Sequence, residues 1–253
     1  MKLALLAISI INISSYGFFK QLTCNLQLPT IPVTVRLGFQ ATMIMSEYNR
    51  DQLEAFLMVR QYLGGLSRSR IGQIKRWIQP YLRFRGDVED FQKQHFSGIC
   101  TQRCFASHTS ACCNREGIIT FFADVVINVL LSSTQEVDAL LQILSQDRGG
   151  FKCVYLIENG CLWHMKPIVC EMFLCKNAKD AVLEKDSSLR TQWKKFYRRE
   201  RRYTWPSRPV LFDKLEELFI RAGFDSPLMY FHHSPGLLRV KNQSVKNHPK
   251  EPA

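Results

Sequence analysis

No glycine-rich loop with phosphate-cradling spacing occurs in the 253 residues. Nor does a Ser-His-Asp or paired-carboxylate arrangement with recognisable spacing, so hydrolase chemistry has no foothold. No apolar run is suited to span a bilayer: residues 3–13 are too few, and residues 118–131 are interrupted by Asp124 and Asn128. Internal repeats are missing, and so are the short Cys-x2-Cys pairs of common zinc fingers. Acidic residues are scarce. None precedes Glu47, and over the whole chain 22 Asp and Glu face 34 Lys and Arg, a formal net charge of +12. That balance favours anionic partners without identifying one. The composition, 46% hydrophobic and 22% charged, excludes a wholly disordered chain, and the length allows about one or two domains.

Residues 1–42 read as a signal-like or spurious N-terminal extension. Lys2 followed by residues 3–13 has the charged and apolar parts of a secretory signal, but the exit is poor. In Gln21-Leu22-Thr23-Cys24 the leucine stands one place late for a lipoprotein cysteine, and no small-x-small site stands out. The other reading is an over-extended gene start, because ordinary soluble composition begins after Met43 or Met45 with Ser46-Glu47-Tyr48-Asn49-Arg50-Asp51. A cytoplasmic protein is expected, with export the alternative if the signal is real. The choice decides whether the cysteines are free thiols or disulfides.

Residues 43–95 read as an N-terminal helical region. Leu53, Phe56, Leu57 and residues 60–63 give helical spacing that stops at Gly64-Gly65, and Ile71, Ile74, Trp77 and Ile78 carry a second period up to Pro80. Residues 118–131 suggest a buried strand passing into a helix. Ser133 with Glu136 forms a capping-box signature, followed by Val137, Leu140, Leu141 and Leu144 on one helical face. Residues 151–157 and 161–163 around Asn159-Gly160 read as a hairpin, and Pro167 suits the start of a helix carrying Cys170. A regular two-residue hairpin places Cys153 across from about Lys166, near Cys170, with Cys161 at the turn. Residues 181–240 form a basic helical region in which Leu211, Leu215, Leu218 and Phe219 line a helix ending at Gly223, and residues 241–253 read as a disordered tail. The fold class expected is α+β, mostly helical: a small cysteine-rich domain with a β-hairpin over residues 96–180, flanked by helices.

Eight of the nine cysteines crowd the middle of the chain: Cys100, Cys104, Cys112 and Cys113, then Cys153, Cys161, Cys170 and Cys175. Thiolate sulfur is a soft anionic donor, and four such ligands complete a zinc shell or hold an iron–sulfur cluster. Neighbours such as Cys112 and Cys113 rarely face one ion, so they serve different metals or bridge. Small core residues and disulfides are the competing readings. His108 and His164 could ligate or tune such a site, but read more simply as a solvated loop residue and a strand residue. His232-His233 before Ser234-Pro235-Gly236 reads as a surface feature. Residues 194–205 interleave Lys194, Lys195, Arg198, Arg199, Arg201 and Arg202 with aromatics. The segment could meet RNA or an anionic membrane surface, or be a helix with a solvated basic face and buried Trp193, Phe196 and Tyr197.

The arrangement Cys-x3-Cys with a later Cys-Cys pair, then Cys153-Val-Tyr-Leu, Gly160-Cys161-Leu-Trp and Lys166-Pro167-Ile-Val-Cys170-Glu-Met-Phe, resembles the YkgJ-type cysteine-cluster proteins. Those are described as zinc- or iron-chelating domains, and relatives of the cysteine pattern occur in flagellin lysine methylases. The family pattern is a tight Cys-x2-Cys-x2-Cys-Cys, a Cys-x-x-Leu element, a Gly-Arg-Cys-like turn and an Arg-Pro-x-x-Cys-x-x-Phe-Pro ending. The likeness covers roughly residues 100–175. It implies Cys100, Cys104, Cys112, Cys113, Cys153, Cys161 and Cys170 as ligands, with Cys175 added beyond the usual pattern. Here the first group is stretched, Lys166 replaces the arginine, and Leu174 stands where proline would follow the phenylalanine. The resemblance implies an iron–sulfur cluster or iron, alternatively zinc. The function expected is metal binding. The alternatives are an enzyme, perhaps a transferase, with a structural metal, or an exported disulfide-stapled protein.

Overall fold

Two serines start the two long N-terminal helices. The hydroxyl of Ser46 accepts from the Asn49 amide at 3.2 Å and that of Ser67 from the Arg70 amide at 3.3 Å, each satisfying a donor that a helix start leaves without a partner. The computed structural model describes residues 45–114, 119–146 and 150–247. The signal-like segment therefore lies outside the described residues. Helix α1 (Glu47–Gly64) ends at the glycine pair as expected, and buries Gln52, Ala55, Phe56, Val59 and Leu63 on one face.

Helix α2 (Arg68–Ser97) corrects the expectation of a stop at Pro80: it runs straight through that residue. Proline in a helix interior costs ~3 kcal/mol. Beyond it, however, Phe84, Val88, Phe91 and Phe96 are buried, each worth roughly 1.5–3 kcal/mol. Burial wins. The exposed carbonyl of Pro80 accepts a hydrogen bond from the Tyr203 hydroxyl at 3.0 Å. The helix continues into a π-helical segment (Gly98–Phe105) carrying Cys100 and Cys104.

Helix α3 (Phe122–Leu131) follows, with no strand over residues 119–121. The continuous apolar run fits a helix buried on most sides as well as it fits a strand. Helix α4 (Thr134–Leu144) begins with the expected capping box. The hairpin is present but shorter than expected, with β1 (Leu156–Ile157) and β2 (Gly160–Cys161) antiparallel. Leu156 pairs with Cys161 and Ile157 with Gly160, so the turn is Glu158-Asn159 and not Asn159-Gly160. Gly160, at φ +116°, supplies a backbone angle that other residues avoid.

Helix α5 (Ile168–Met172) starts after Pro167, and α6 (Lys176–Ala178) leads into a second π-helical segment (Lys179–Leu183). Helix α7 (Ser187–Thr204) is capped by Asp186, and α8 (Leu211–Ile220) gives way to a short α9 (Tyr230–His233). Helix α10 (Pro235–Asn247) takes in residues 241–247, read from sequence as disordered tail. Lys241 ties it to α8 through Asp213 at 2.7 Å, an attachment that a polar segment without apolar period does not announce. Residues 248–253 lie outside the described residues.

Among the described residues the fold is thus mostly helical, with one small antiparallel strand pair. The three regions expected over 43–95, 96–180 and 181–240 share a single hydrophobic core within the unit that begins at Met43. Helix α1 lies on α3 and α4, α3 on α8, and α7 on α2 and α8. Phe56 of α1 meets Trp163 just after the hairpin at 5.1 Å, and Phe91 of α2 stacks on Trp193 of α7 at 5.7 Å. One acid is enclosed near the end of the fold. Glu216 is fully buried, and its carboxylate accepts from the Phe231 amide at 3.1 Å and lies 2.9 Å from the Nδ1 of His232. Burial first, then the neighbouring Asp213, raises its pKa to about 9. His232, read from sequence as a surface feature, belongs to this enclosed pair.

Candidate functional site

Cys100 and Cys104 stand four residues apart on the π-helical segment, about one turn along the same side. The chain then folds back sharply. The amides of Thr109 and Ser110 donate to the Cys104 carbonyl at 3.0 and 3.1 Å, and the Ala111 amide donates to the Cys104 sulfur at 3.3 Å. His108 and Ser110 adopt positive φ, 58° and 36°, which marks the tightness of the turn. The Lys152 ammonium holds the carbonyls of Thr109 and Ser110 from across the molecule.

That turn delivers Cys113 to the hairpin segment. Its carbonyl accepts from the Cys153 amide at 3.1 Å, beside an antiparallel bridge between Asn114 and Lys152. The expectation that Cys153 lies across from about Lys166 is corrected: its backbone partner is Cys113. The Leu156 amide donates to the Cys153 carbonyl at 3.1 Å, and Leu156 pairs with Cys161, so one turn of chain links these two thiols.

Cys170 is set by a buried polar frame. The Asp124 carboxylate accepts from the Ile168 amide at 3.1 Å and, with its other oxygen, from the Phe121 amide at 3.2 Å. Arg85 donates to the Lys166 carbonyl at 2.8 Å and to the Tyr81 hydroxyl at 2.9 Å, and lies 3.5 Å from the Glu171 carboxylate. Gln92 donates to the Glu171 carbonyl, and the Tyr197 hydroxyl to that of Met172 at 3.0 Å. Helix α5 is thereby bolted to α2, α3 and α7. Cys175 caps α6 through its backbone carbonyl.

All eight cysteines are free; Cys100 and Cys112 are exposed and the other six half-buried. Burial pushes the Cys153 thiol up to about 11, with Cys161 and Cys112 adding to the shift. Burial likewise raises Cys170 to about 12, with Cys153, Cys161 and Cys112 adding. Cys161 is raised by burial, and Cys100 by burial and then by Cys112, Cys175 and Cys104. The Cys112 thiol, raised chiefly by its hydrogen bond to Cys113, donates to that sulfur and lowers the Cys113 pKa. Cys113 in turn feels Cys153, Cys161 and Cys170. Lys166 opposes the rise at Cys100, Cys112 and Cys161. Thiols kept protonated in this way release protons when they bind a metal.

Cys100 thus feels Cys104, Cys112 and Cys175, and Cys113, Cys153, Cys161 and Cys170 feel one another; thiols are donors of the soft kind that suits zinc or iron. Among the described residues, no three His, Cys, Asp or Glu side chains stand close enough to hold a metal ion. His108 is exposed, and the Nδ1 of His164 lies 3.0 Å from the Glu136 carboxylate. Sequence reasoning missed Arg85, Glu171 and Tyr81. Asp124 alone left a sign, as the acid interrupting an apolar run. On α7, Trp193 and Phe196 are buried while Tyr197 is 39% exposed, a correction to its expected burial. No helix of the described residues is long and apolar enough to cross a membrane. Comparison with protein-family models, with curated proteins and with solved structures finds no match to this chain.

Proposed function

We propose that this chain is a metal-binding cysteine-cluster protein of the YkgJ type, whose thiolates coordinate an iron–sulfur cluster or iron, with zinc second. What supports the reading is that free thiols from four separated stretches, residues 100–104, 112–113, 153–161 and 170–175, lie within one another's electrostatic field. Soft anionic donors at that density make a poor core and a good metal shell. The reading goes with a reducing compartment, the cytoplasm, where thiols stay free for metal. Purification without oxygen, followed by elemental analysis and an absorption spectrum, tests the proposal. The expected result is bound iron with sulfur-to-iron absorption, or zinc without it. A preparation free of both metals, or mass mapping that finds the cysteines joined in pairs, overturns it.

The exposed charge of α7 supports a separate proposal, an anionic partner. Lys194, Lys195, Arg198, Arg201 and Arg202 are exposed, and the Arg201 guanidinium lies 4.7 Å from the ring centroid of Trp205, itself 37% exposed. Cations interleaved with an open aromatic suit phosphates and bases.

A further inference from the structure

A cleft of about 530 Å³ opens where α2, the end of α7 and α8 meet, a size that takes a small planar ligand. Trp77 and Tyr203, both half-buried, wall it with aromatic surface, and Val210 and Leu211 add apolar lining. Tyr203 is fixed there by its hydroxyl bond to the Pro80 carbonyl and by stacking on Phe84 at 5.6 Å. The Lys214 ammonium, on an exposed side chain, sits 3.6 Å from the centroid of the Trp77 indole, and the Arg70 guanidinium 5.5 Å from it. Two carboxylates line the same cleft. Asp213 accepts from Lys241 at 2.7 Å and Glu217 from Arg221 at 2.5 Å, and an ionised carboxylate has lone pairs for further donors.

Arg202 belongs to this cleft and to the basic face of α7 at once. From Lys194 to Arg202 that face runs about 12 Å, a length for a few successive phosphates, with Lys195, Arg198 and Arg201 as exposed cations between. Arg208, exposed beside the cleft residue Pro209, continues the charge past it. The cleft itself is of mixed charge, and that decides between occupants. Asp213 and Glu217 repel a phosphate or a lipid headgroup, but they accept from a ring amine. Half-buried aromatic walls do not reach into a bilayer. The bases of a duplex are stacked on one another, whereas those of a single strand splay out onto aromatic surfaces. We infer that this cleft receives a base of a single-stranded nucleic acid whose phosphates lie along α7. The inference rests on the anionic-partner reading of α7 and names that partner. The base stacks on Trp77 and displaces the Lys214 ammonium toward its own phosphate. Its exocyclic amine donates to Glu217 or Asp213. That favours cytosine over uracil, a ring of the same size with a carbonyl oxygen where cytosine has the amine.

The test is fluorescence anisotropy of the full, reduced chain with labelled oligo(rC), oligo(rU) and oligo(dC) of one length, a duplex, and phosphatidylserine vesicles. Oligo(rC) is expected to bind about fivefold or more tighter than oligo(rU). Comparison with oligo(dC) tells which sugar the chain prefers, and tight binding of either cytosine strand supports the inference. Trp77→Leu weakens oligo(rC) about fivefold or more. Glu217→Gln, on an exposed side chain that leaves the core intact, brings oligo(rC) and oligo(rU) to within about twofold, because an amide also donates to the uracil carbonyl. Arg198→Ser with Arg201→Ser, outside the cleft, weakens both alike. Equal affinity of the parent chain for oligo(rC) and oligo(rU), or tighter binding of the duplex, overturns the cleft and leaves the anionic partner of α7 standing. So does binding to the vesicles with none to the oligonucleotides. Binding to none of these probes overturns both.

Discussion

Arg85 is the residue on which the frame around Cys170 turns. Its side chain is 5% exposed, and it serves the Lys166 carbonyl, the Tyr81 hydroxyl and the Glu171 carboxylate at once. Burial raises the Asp124 pKa to about 7, and Arg85 is the first influence opposing that rise. Replacing Arg85 by Met keeps the bulk and strands Glu171 without its buried partner. Breaking a buried pair from one side costs about 3–5 kcal/mol. Lys166, 3.6 Å from the same carboxylate, keeps the loss near the lower figure. Urea denaturation of Arg85→Met measures it, and a loss under about 1 kcal/mol would show that the frame is not held by this charge. Such a residue is illegible in sequence, where it is one of 34 basic side chains. The cysteines stand out because their type is rare and their density high, whereas the arginine that positions one of them has neither mark.

Helical periodicity carried most of the element structure, because a stripe of apolar residues at three- and four-residue spacing has few other solutions. Its failures are local. Pro80 was weighed by its own cost and not against four large side chains beyond it. The hairpin was located, but its turn was placed one residue late, because Asn-Gly favours a tight turn whereas here the glycine supplies the first position of β2. Helix α7 followed the reading of a basic, solvated face over buried Trp193 and Phe196. Its charge can be removed without touching that core. Arg198→Ser with Arg201→Ser and Arg202→Ser spares Arg199, which pairs with Asp87 at 2.6 Å. The triple variant is expected to keep its helical circular dichroism and to leave immobilised RNA at lower salt than the parent chain. Equal elution would remove the anionic-partner proposal.

Across the whole molecule, the expected boundaries at residues 95 and 180 vanish into the shared core, because a stretch of sequence dense in one residue type looks self-contained even when its apolar residues pack elsewhere. Val154, Tyr155 and Trp163 from the cysteine-bearing stretch lie in the same core as Phe56 and Phe212. On the proposed metal-binding reading, loading the thiols is expected to stabilise the molecule as one unit. With free zinc at about a hundredfold excess over its dissociation constant, linkage adds about 2.7 kcal/mol per site. A single melting transition should move up as a whole, and strong chelation should return it. Two separate transitions, with only one responding, would contradict a shared core. The enclosed Glu216 has a consequence of another kind. Its acid is neutral inside the fold and ionised in water near pH 7, where its ordinary value is 4.5. Whenever α9 lifts away and water reaches that carboxyl, the molecule sheds a proton. For this carboxyl, opening is favoured by alkali until near pH 9; His232 on α9, whose pKa burial lowers from 6.5, pulls the other way in acid, because it gains a proton when it reaches water.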